Sequence, residues 1–396
     1  MSNPFNRDFI TDYDMNDPEL SERWDEVVSH MHRSQCPVAR SNVGEGYYIL
    51  NRYEDVKRAA SDWETFSASD GFMVNRPAGM PFMKPGESDP PIHTELRALL
   101  HPFLRPVEVA KLESIARAQA DALIDTFIEK GAVDVVESYA NPLPQSVFSV
   151  NVAGMDPTDM PFLMKVFNLA GPPEERGDNF ALGIAKVAEY LKRRSEEAPR
   201  SDIASALLGF QHPGYEFEDK VLTLVQLIIG GIGTTGYAIS GGLHHLATHP
   251  DDRRLLLDEP KALPRAIDEF LRMFGGAPNM GRRTKKEVEI DGNIIPANSR
   301  VVLSFGAAGR DPSVCERPDV LDITRKSNRH LAFGAGNHAC IGAPLARVEL
   351  KVAYEQFLAR IPEFELEPGF QPLYETANTR HMVALRLRFP PGKRVA

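Results

Sequence analysis

Helical patterns of apolar and polar residues dominate the chain between about residues 93 and 274. Alternating stretches flank this region. "YYIL" (Tyr47 to Leu50) precedes a helical stretch that ends near Ala60, and "KEVEIDGNIIPANSRVVLSF" carries an Asp-Gly turn, which is typical of a β-hairpin. "LARVELKVAYEQFLARI" is an amphipathic helical pattern, and the C-terminal "HMVALRLRF" alternates like a strand. These patterns predict a mainly α protein with small β-sheets.

Two segments depart from these simple patterns. Residues 68–90 are rich in glycine and proline yet strongly apolar, and a loop of that kind usually lines or covers a cavity. The charge-free run from Val221 to Leu243 predicts a long buried helix, although six glycines lie within it. Each interior glycine costs about 0.8–1 kcal/mol relative to alanine. We therefore expect a function that needs the bare backbone at that point.

The composition narrows the class of protein. The 396 residues carry a net charge of −10, which argues against a nucleic-acid-binding protein. Three cysteines, Cys36, Cys315 and Cys340, are too few and too widely spaced for a disulfide scaffold. The polar, acidic N-terminus predicts neither a signal peptide nor a membrane anchor. The run from Val221 to Leu243 is long enough to cross a bilayer, but its glycines and threonines favour a buried helix of a soluble, cytoplasmic protein.

One cysteine lies in a distinctive setting. Cys340 follows a glycine-rich loop and precedes a helix that we expect to begin at Ala343-Pro344, because proline is favoured at a helix start. Backbone N–H groups and the positive helix end favour a thiolate there, and a thiolate of this kind can ligate a haem iron. Alone, such a cysteine is more often a small buried apolar residue.

The surrounding pattern, Phe333-Gly-x-Gly-x-His338-x-Cys340-x-Gly342, resembles the haem-binding signature of the cytochrome P-450 superfamily. The resemblance extends along nearly the whole chain. It implies one haem domain over residues 1–396 with no fused reductase, and a haem b group between a long distal helix and the cysteine loop. Cys340 is then the iron ligand, and Phe333, Gly334 and His338 contact the cofactor.

Further cofactor contacts also follow from the resemblance. His93 and Arg97 of "HTELR", together with Arg282 and His330, match residues that hold the haem propionates. Taken alone, each of these residues is more readily interpreted as an ordinary surface cation; together, in the family's order, they are similar to a propionate clamp. Glu269 and Arg272 match the family's Glu-x-x-Arg pair, to which the resemblance gives a structural role beside the meander segment Arg310 to Arg325. An i,i+3 ion pair is otherwise common on helix surfaces.

The glycines of the long helix gain a role through the same resemblance. Gly230, Gly231, Gly233 and Thr234 match the distal motif, where small residues and a local widening leave room for dioxygen and Thr234 helps to activate it. The family's usual acid before the threonine is replaced by Gly233. Three outcomes stay open: water alone fills the gap, another residue supplies protons, or the chemistry is unusual. The alternative for Thr234 is a hydroxyl bonded to its own helix.

Partners are also implied by the resemblance. Electrons come from a separate ferredoxin and an NAD(P)H-dependent ferredoxin reductase, with dioxygen as the oxidant. A local basic patch near the cysteine loop serves either to dock that partner or as an ordinary solvated surface, and it comprises Arg325, Lys326, Arg329 and Arg347. The leading function is a monooxygenase. The alternatives are a peroxide-dependent or oxidative-coupling enzyme, and a non-catalytic haem or ligand carrier.

The substrate pocket is predicted by resemblance to be largely apolar, which favours a small or medium organic molecule such as a terpenoid or an aromatic compound. Arg76 or Arg380 either anchors a substrate carboxylate or faces water. The predicted lining comprises the 68–90 loop, the stretch from Phe162 to Leu169, the distal helix near Ile229, the turn from Gly275 to Met280 and the stretch from Ala377 to Met382. The candidate wall residues are Phe72, Phe82, Met83, Phe167, Ile229, Met280 and Thr379.

Overall fold

The structure, a computed structural model, describes residues 3–34, 36–77, 79–167, 176–376 and 378–395. About 51 % of the chain is helical, which confirms the mainly α fold class. The α-helices of the described residues are α1 Pro18–Glu22, α2 Trp24–Arg33, α3 Tyr53–Ser61, α4 Ile92–Leu104, α5 Pro106–Val109, α6 Glu113–Asp125, α7 Pro142–Gln145, α8 Met160–Val166, α9 Arg176–Ser195, α10 Ile203–Gly209, α11 Phe217–Thr248, α12 Pro250–Asp258, α13 Leu263–Phe274, α14 Phe305–Ala308 and α15 Ala343–Arg360.

The strands are short and form small sheets. The described strands are β1 Val38–Ser41, β2 Tyr47–Leu50, β3 Phe66–Ser67, β4 Ala132–Asp134, β5 Asn279–Thr284, β6 Val288–Ile290, β7 Asn293–Ile295, β8 Arg300–Ser304, β9 Glu365–Leu366, β10 Tyr374–Thr376, β11 Arg380–Met382 and β12 Arg386–Arg388. The largest sheet has the order β1-β2-β8-β5-β3, in which only β2 and β8 run parallel. A second sheet has the order β4-β12-β9, and β6-β7 and β10-β11 are separate pairs.

Helix α11 is the central element. Its first turn is closed by a capping box, in which the Glu216 side chain accepts from the third helical N–H and Asp219 accepts from the Glu216 N–H at 2.9 Å. Helices α7, α9, α13 and α15 pack around it. Among the described residues it is one helix that is long and apolar enough to cross a membrane by length and composition. Its packing on several sides explains that composition as that of a core helix.

Several local predictions are confirmed. The hairpin β6-β7 turns at Asp291 and Gly292, whose φ angles of 49° and 77° are the left-handed pair that an Asp-Gly turn supplies. Helix α15 begins at Ala343 with Pro344 in its first turn. The 68–90 loop contains no helix or strand among its described residues.

The prediction of a single C-terminal strand is wrong. The segment forms two strands, β11 and β12, which pair with different partners. The chain changes sheet between them, because the Val383 N–H donates to the Leu373 carbonyl and the Leu385 N–H donates to Asp134 Oδ1. Alternation of apolar residues continues through the break, so the pattern alone does not reveal it.

Candidate functional site

The loop before α15 holds Cys340 by backbone geometry. Gly334 and Gly336 have φ angles of 68° and 65°, the left-handed region that favours glycine. A Cβ on Gly336 would lie 2.3 Å from the Ala60 carbonyl oxygen, so this position also needs the absence of a side chain. The Cys340 N–H donates to the Phe333 carbonyl at 2.7 Å. The signature glycines therefore fold the loop tightly beneath the cysteine.

Cys340 differs from the other two cysteines. It is the exposed one, whereas Cys36 is half-buried and Cys315 is buried. Although the side chain is exposed, desolvation by the protein packed closely around it raises the pKa of the Cys340 thiol. Hydrogen bonds from the backbone of Gly342 and Ala343 and the charge of Arg97 oppose that shift. The expected thiolate-stabilising groups are thus present, but burial outweighs them in the protein alone. A bound metal ion would have to supply the remaining stabilisation.

A cluster of histidine and arginine side chains lies beside this cysteine. The rings of His93 and His338 are 4.2 Å apart. Both ring nitrogens of His93 and Nε2 of His338 are buried without a hydrogen-bond partner among the described residues. Buried Arg282 donates to the Gly281 carbonyl at 2.7 Å, and neither it nor Arg97 forms an ion pair within the described part of the chain.

The electrostatics of this cluster are unfavourable without an anion. Burial, together with the charge of Arg97, lowers the pKa of His93 to about 4, and burial beside Arg282 lowers that of His338 to about 2. Burial alone lowers the pKa of Arg282 to about 10. Buried cations are normally paired. Two carboxylates, the complement that a haem b group carries, would satisfy the unpaired donors, so the residues present fit that cofactor.

His330 makes different contacts from those of His93 and His338. Its Nε2 lies 3.5 Å from Asp268 Oδ1, and its Nδ1 accepts from the Ala332 N–H. Asp268 also binds Arg347, whose guanidinium lies 5.3 Å from the centre of the Phe333 ring. The contacts of His330 in the described structure are therefore those of an ion-pair network on the cysteine loop.

On the distal helix, a Cβ added to Gly230 would meet no atom within 4 Å. Thr234 donates its hydroxyl proton to the Gly230 carbonyl at 2.8 Å. The expected local widening is not seen, because α11 runs as a continuous α-helix from Phe217 to Thr248. The bond from Thr234 uses its proton within the helix and leaves the hydroxyl oxygen free to accept.

Close packing accounts for several of the other glycines. Added Cβ atoms would lie 2.1 Å from Asn141 Oδ1 at Gly236, 2.4 Å from the Phe274 ring at Gly241 and 2.1 Å from the Tyr354 hydroxyl at Gly242. A Cβ added to Gly231 would make only an ordinary contact with the Phe148 ring, at 3.4 Å. Gly233 lines a cavity of about 420 Å³, to which Gly236 also contributes. The glycines of α11 therefore serve more than one purpose: some permit close packing of neighbouring side chains, and Gly233 lines a cavity.

Glu269 and Arg272 form a fully buried pair. Arg272 Nε and Nη2 donate to the two carboxylate oxygens at 2.8 and 2.7 Å. Glu269 also accepts from the Asp322 N–H, from Asn328 Nδ2 and from Arg325 Nε. Arg325 is consequently tied inward, so it does not belong to a solvated basic patch.

The predicted pocket residues are only partly brought together. Phe167 and Ile229 line the same cavity as Gly233, while Phe72 and Met83 pack against the main core. Phe82 is 43 % exposed beneath Arg76, and Met280 packs in the apolar cluster of the five-stranded sheet. The remaining wall residue, Thr379, is half-buried. Residues 168–169 and Ala377 lie outside the described residues.

A residue that sequence reasoning missed connects these segments. Nδ2 of buried Asn378 donates to the Phe72 carbonyl at 2.8 Å and to the Asn279 carbonyl at 3.2 Å. It thereby ties the 68–90 loop, strand β5 and the turn before β11. No local pattern around Asn378 distinguishes it from an ordinary turn asparagine, so the sequence carries no signal for this role.

Comparison with known proteins identifies the family. A sequence model described as Cytochrome P450 matches residues 183–386. The Steroid C26-monooxygenase of Mycolicibacterium smegmatis is 33 % identical over 347 residues, covering 84 % of this chain and 84 % of that protein. The Nocardicin C N-oxygenase of Nocardia uniformis subsp. tsuyamanensis is 33 % identical over 352 residues, covering 84 % of this chain and 87 % of that protein.

Solved structures agree. The structure described as the cytochrome P450 enzyme CxnD for C–S bond formation in chuangxinmycin biosynthesis aligns with a TM-score of 0.86 at 30 % identity, covering 95 % of this chain and 97 % of that one. This chain belongs to the cytochrome P450 family. It is a haem-thiolate oxidoreductase that incorporates oxygen, with haem b bound through a cysteine thiolate.

Proposed function

We propose that this protein is a cytoplasmic monooxygenase that inserts one atom of dioxygen into a small or medium apolar organic substrate. A separate ferredoxin and its NAD(P)H-dependent reductase supply the electrons. The observation that carries the proposal is that Cys340 lies beside buried Arg282 and half-buried Arg97, which have no carboxylate partner among the described residues. Buried nitrogens of His93 and His338 beside them also lack a hydrogen-bond partner there. That combination matches a metal group bearing two carboxylates.

The roles of individual residues follow from this arrangement. Cys340 would hold the iron, and Arg97 and Arg282 would bind the two propionates through charge-assisted hydrogen bonds. His93 and His338 would donate ring N–H groups to the same carboxylates. When bound, the haem supplies the capacity to activate dioxygen with two electrons. Gly230, Gly231 and Thr234 would form the distal wall of the haem site, and the Thr234 hydroxyl donates to the Gly230 carbonyl at 2.8 Å. We assign Phe333 and Gly334 to the cofactor loop.

The substrate is proposed to be uncharged. Arg76 of the 68–90 loop is paired with Glu87 at 2.5 Å, and that carboxylate is fully buried. Arg380 donates to the Tyr237 hydroxyl at 2.9 Å and to Thr376 Oγ1 at 3.0 Å, while its guanidinium lies 4.8 Å from the Tyr374 ring. Both arginines are therefore occupied, which disfavours a substrate carboxylate. A terpenoid or a neutral aromatic compound suits the apolar candidate walls.

The test is a titration of the purified ferric protein with terpenoids, neutral aromatics, benzoates and fatty acids, followed through the Soret band. We expect neutral ligands to shift the iron towards high spin by displacing water, and the matched carboxylates to do so far less. A preference for the carboxylates would overturn the assignment of Arg76 and Arg380. If no compound on the panel shifts a fully loaded protein, the small apolar substrate is wrong.

A second candidate is an oxidative-coupling or peroxide-dependent enzyme. Two observations favour it: Gly233 stands where the family's acid is usual, and one similar structure is described as a C–S bond-forming P450. Turnover with hydrogen peroxide alone, at a rate that matches turnover with the redox partners, would support this candidate over the first.

A further inference from the structure

The cavity beside Gly233 has an unusual lining. It measures about 420 Å³ and lies between α11, the helical stretch 136–150, the C-terminal part of α8 and strand β11. Its floor on α11 is built from Gly233, Gly236 and Ser240, three small residues at helical spacing. A side chain at any of these positions would reduce the space beside the helix backbone. The replacement of the usual acid by Gly233 therefore leaves an open volume there.

A line of polar side chains crosses this cavity along the facing helical stretch. Glu137, Asn141 and Gln145 are spaced four residues apart, and all three line it. Glu137 is exposed, whereas Gln145 is only 1 % exposed. The line therefore runs from solvent into the interior. Asn141 lies directly against α11, since a Cβ on Gly236 would be 2.1 Å from its Oδ1.

The inner end of this line needs a polar occupant. Nε2 of Gln145 is buried and has no hydrogen-bond partner among the described residues. A buried N–H group without a partner costs about 1–3 kcal/mol, so such groups are normally satisfied by protein or by ordered water. The cavity has this row of polar side chains on one wall, apolar residues such as Phe167 and Ile229 on others, and room for several water molecules at about 30 Å³ each.

Glu137 is the available acid in this lining. Asp134 also faces the cavity, but its Oδ1 accepts the N–H groups of Val136 and Leu385, which gives it a structural role. The other titratable groups facing the cavity are Lys165, Tyr237 and His381. The Tyr237 hydroxyl accepts from Arg380 at 2.9 Å, and the His381 ring lies 3.5 Å from Glu375. Glu137 has no hydrogen bond or ion pair within the described part of the chain.

We propose that Glu137 is the solvent-side acid of a water-filled proton route that runs past Asn141 and Gln145 to the flank of α11 at Gly233. The Glu137 carboxylate takes a proton from bulk water, passes it to cavity water, and returns to the carboxylate form, so no electron moves. Glu137 acts through cavity water and does not itself touch the substrate or the cofactor. The inference rests on the proposed function, because it supplies protons that oxygen chemistry consumes.

The test compares Glu137→Gln with Glu137→Asp and with Glu54→Gln, a matched change at an exposed glutamate of α3. Two readouts do not involve turnover. A crystal structure of the haem-loaded wild type should contain ordered waters between Glu137 and Gly233, one of them on Gln145 Nε2. The ferric spectrum and the substrate-induced Soret shift should be the same in all variants.

Turnover then separates a proton route from a structural role. For Glu137→Gln we expect product formed per NADPH consumed to fall about tenfold, within the range for loss of a proton-transfer group. The solvent deuterium isotope effect should rise, Glu137→Asp should recover most of the coupling, and Glu54→Gln should match the wild type. A dry cavity, or unchanged coupling in Glu137→Gln, would overturn the proposal. Failure of the proposed function would instead appear as no Soret shift in the wild type.

Discussion

The buried pair Glu269–Arg272 should be one of the most sensitive points of the fold. Both side chains are 0 % exposed, and two hydrogen bonds of 2.8 and 2.7 Å join them. Burial alone would raise the pKa of Glu269, but the hydrogen bonds and charge of Arg272 hold it below its ordinary value. Because water does not reach the pair, each charge is balanced only by the other and by the surrounding hydrogen bonds.

Glu269→Gln keeps the shape of the side chain and removes its charge. Arg272 then stays buried with only uncharged acceptors, the new amide oxygen and the carbonyls of Gly309, Pro318 and Val320. An uncompensated buried charge of this kind costs about 3–5 kcal/mol. The Asp322 N–H and Arg325 also lose their charged acceptor. We expect the variant to unfold at much lower urea concentration and to retain less haem.

The chain offers a matched control. Asp251 and Arg254 form a pair of the same i,i+3 spacing at 2.8 Å, but their side chains are 92 % and 65 % exposed. Asp251→Asn should leave the urea midpoint unchanged, because exposed pairs contribute little. Unfolding is followed by circular dichroism and haem retention by Soret absorbance. Equal midpoints for Glu269→Gln and Asp251→Asn would refute the reasoning.

Three further predictions concern the loop glycine and two titrating groups. Gly336→Ala should reduce haem retention, because its Cβ would lie 2.3 Å from a carbonyl oxygen, whereas Gly369→Ala, also at positive φ but in open space, should not; Soret absorbance per protein measures both. Burial raises the pKa of Glu349, so the native state keeps this carboxyl protonated above the pKa that it has in the unfolded chain. The free energy of unfolding should therefore fall by about 1.4 kcal/mol per pH unit as pH rises above about 4.5. Glu349→Gln should remove that slope in urea titrations from pH 4.5 upwards. Burial lowers the pKa of His244 to about 4, so the contribution of this group to the free energy of unfolding is present above pH ~6.5 and is lost as pH falls. In urea titrations between pH 6.5 and 5, the free energy of unfolding of His244→Gln should fall by about 1.4 kcal/mol per pH unit less than that of the wild type.

Much of the fold was predictable because its periodic patterns are local. The long helix, the Asp-Gly hairpin and the helix after Cys340 each depend on signals within a few residues of themselves. The change of sheet between β11 and β12 was not predictable, since it depends on bonds to Leu373 and Asp134 elsewhere in the chain.

The same distinction applies to the site. The spacing of the signature pointed to Cys340, and family order suggested the cations around it. Sequence could not separate His338, which lies 4.2 Å from His93, from His330, which binds Asp268. Sequence also could not reveal that Gly236 packs closely against Asn141 while Gly233 lines a cavity, because both features depend on the position of the facing helical stretch 136–150.

The most direct test of the central claim is the absorbance spectrum of the reduced, carbon monoxide-bound protein for Cys340→Ser, with Cys315→Ser and Cys36→Ser as controls. If Cys340 supplies the thiolate, Cys340→Ser alone loses the red-shifted Soret band of thiolate-ligated haem, and both controls keep it. A normal thiolate band in Cys340→Ser, or its loss in Cys315→Ser, would contradict the account.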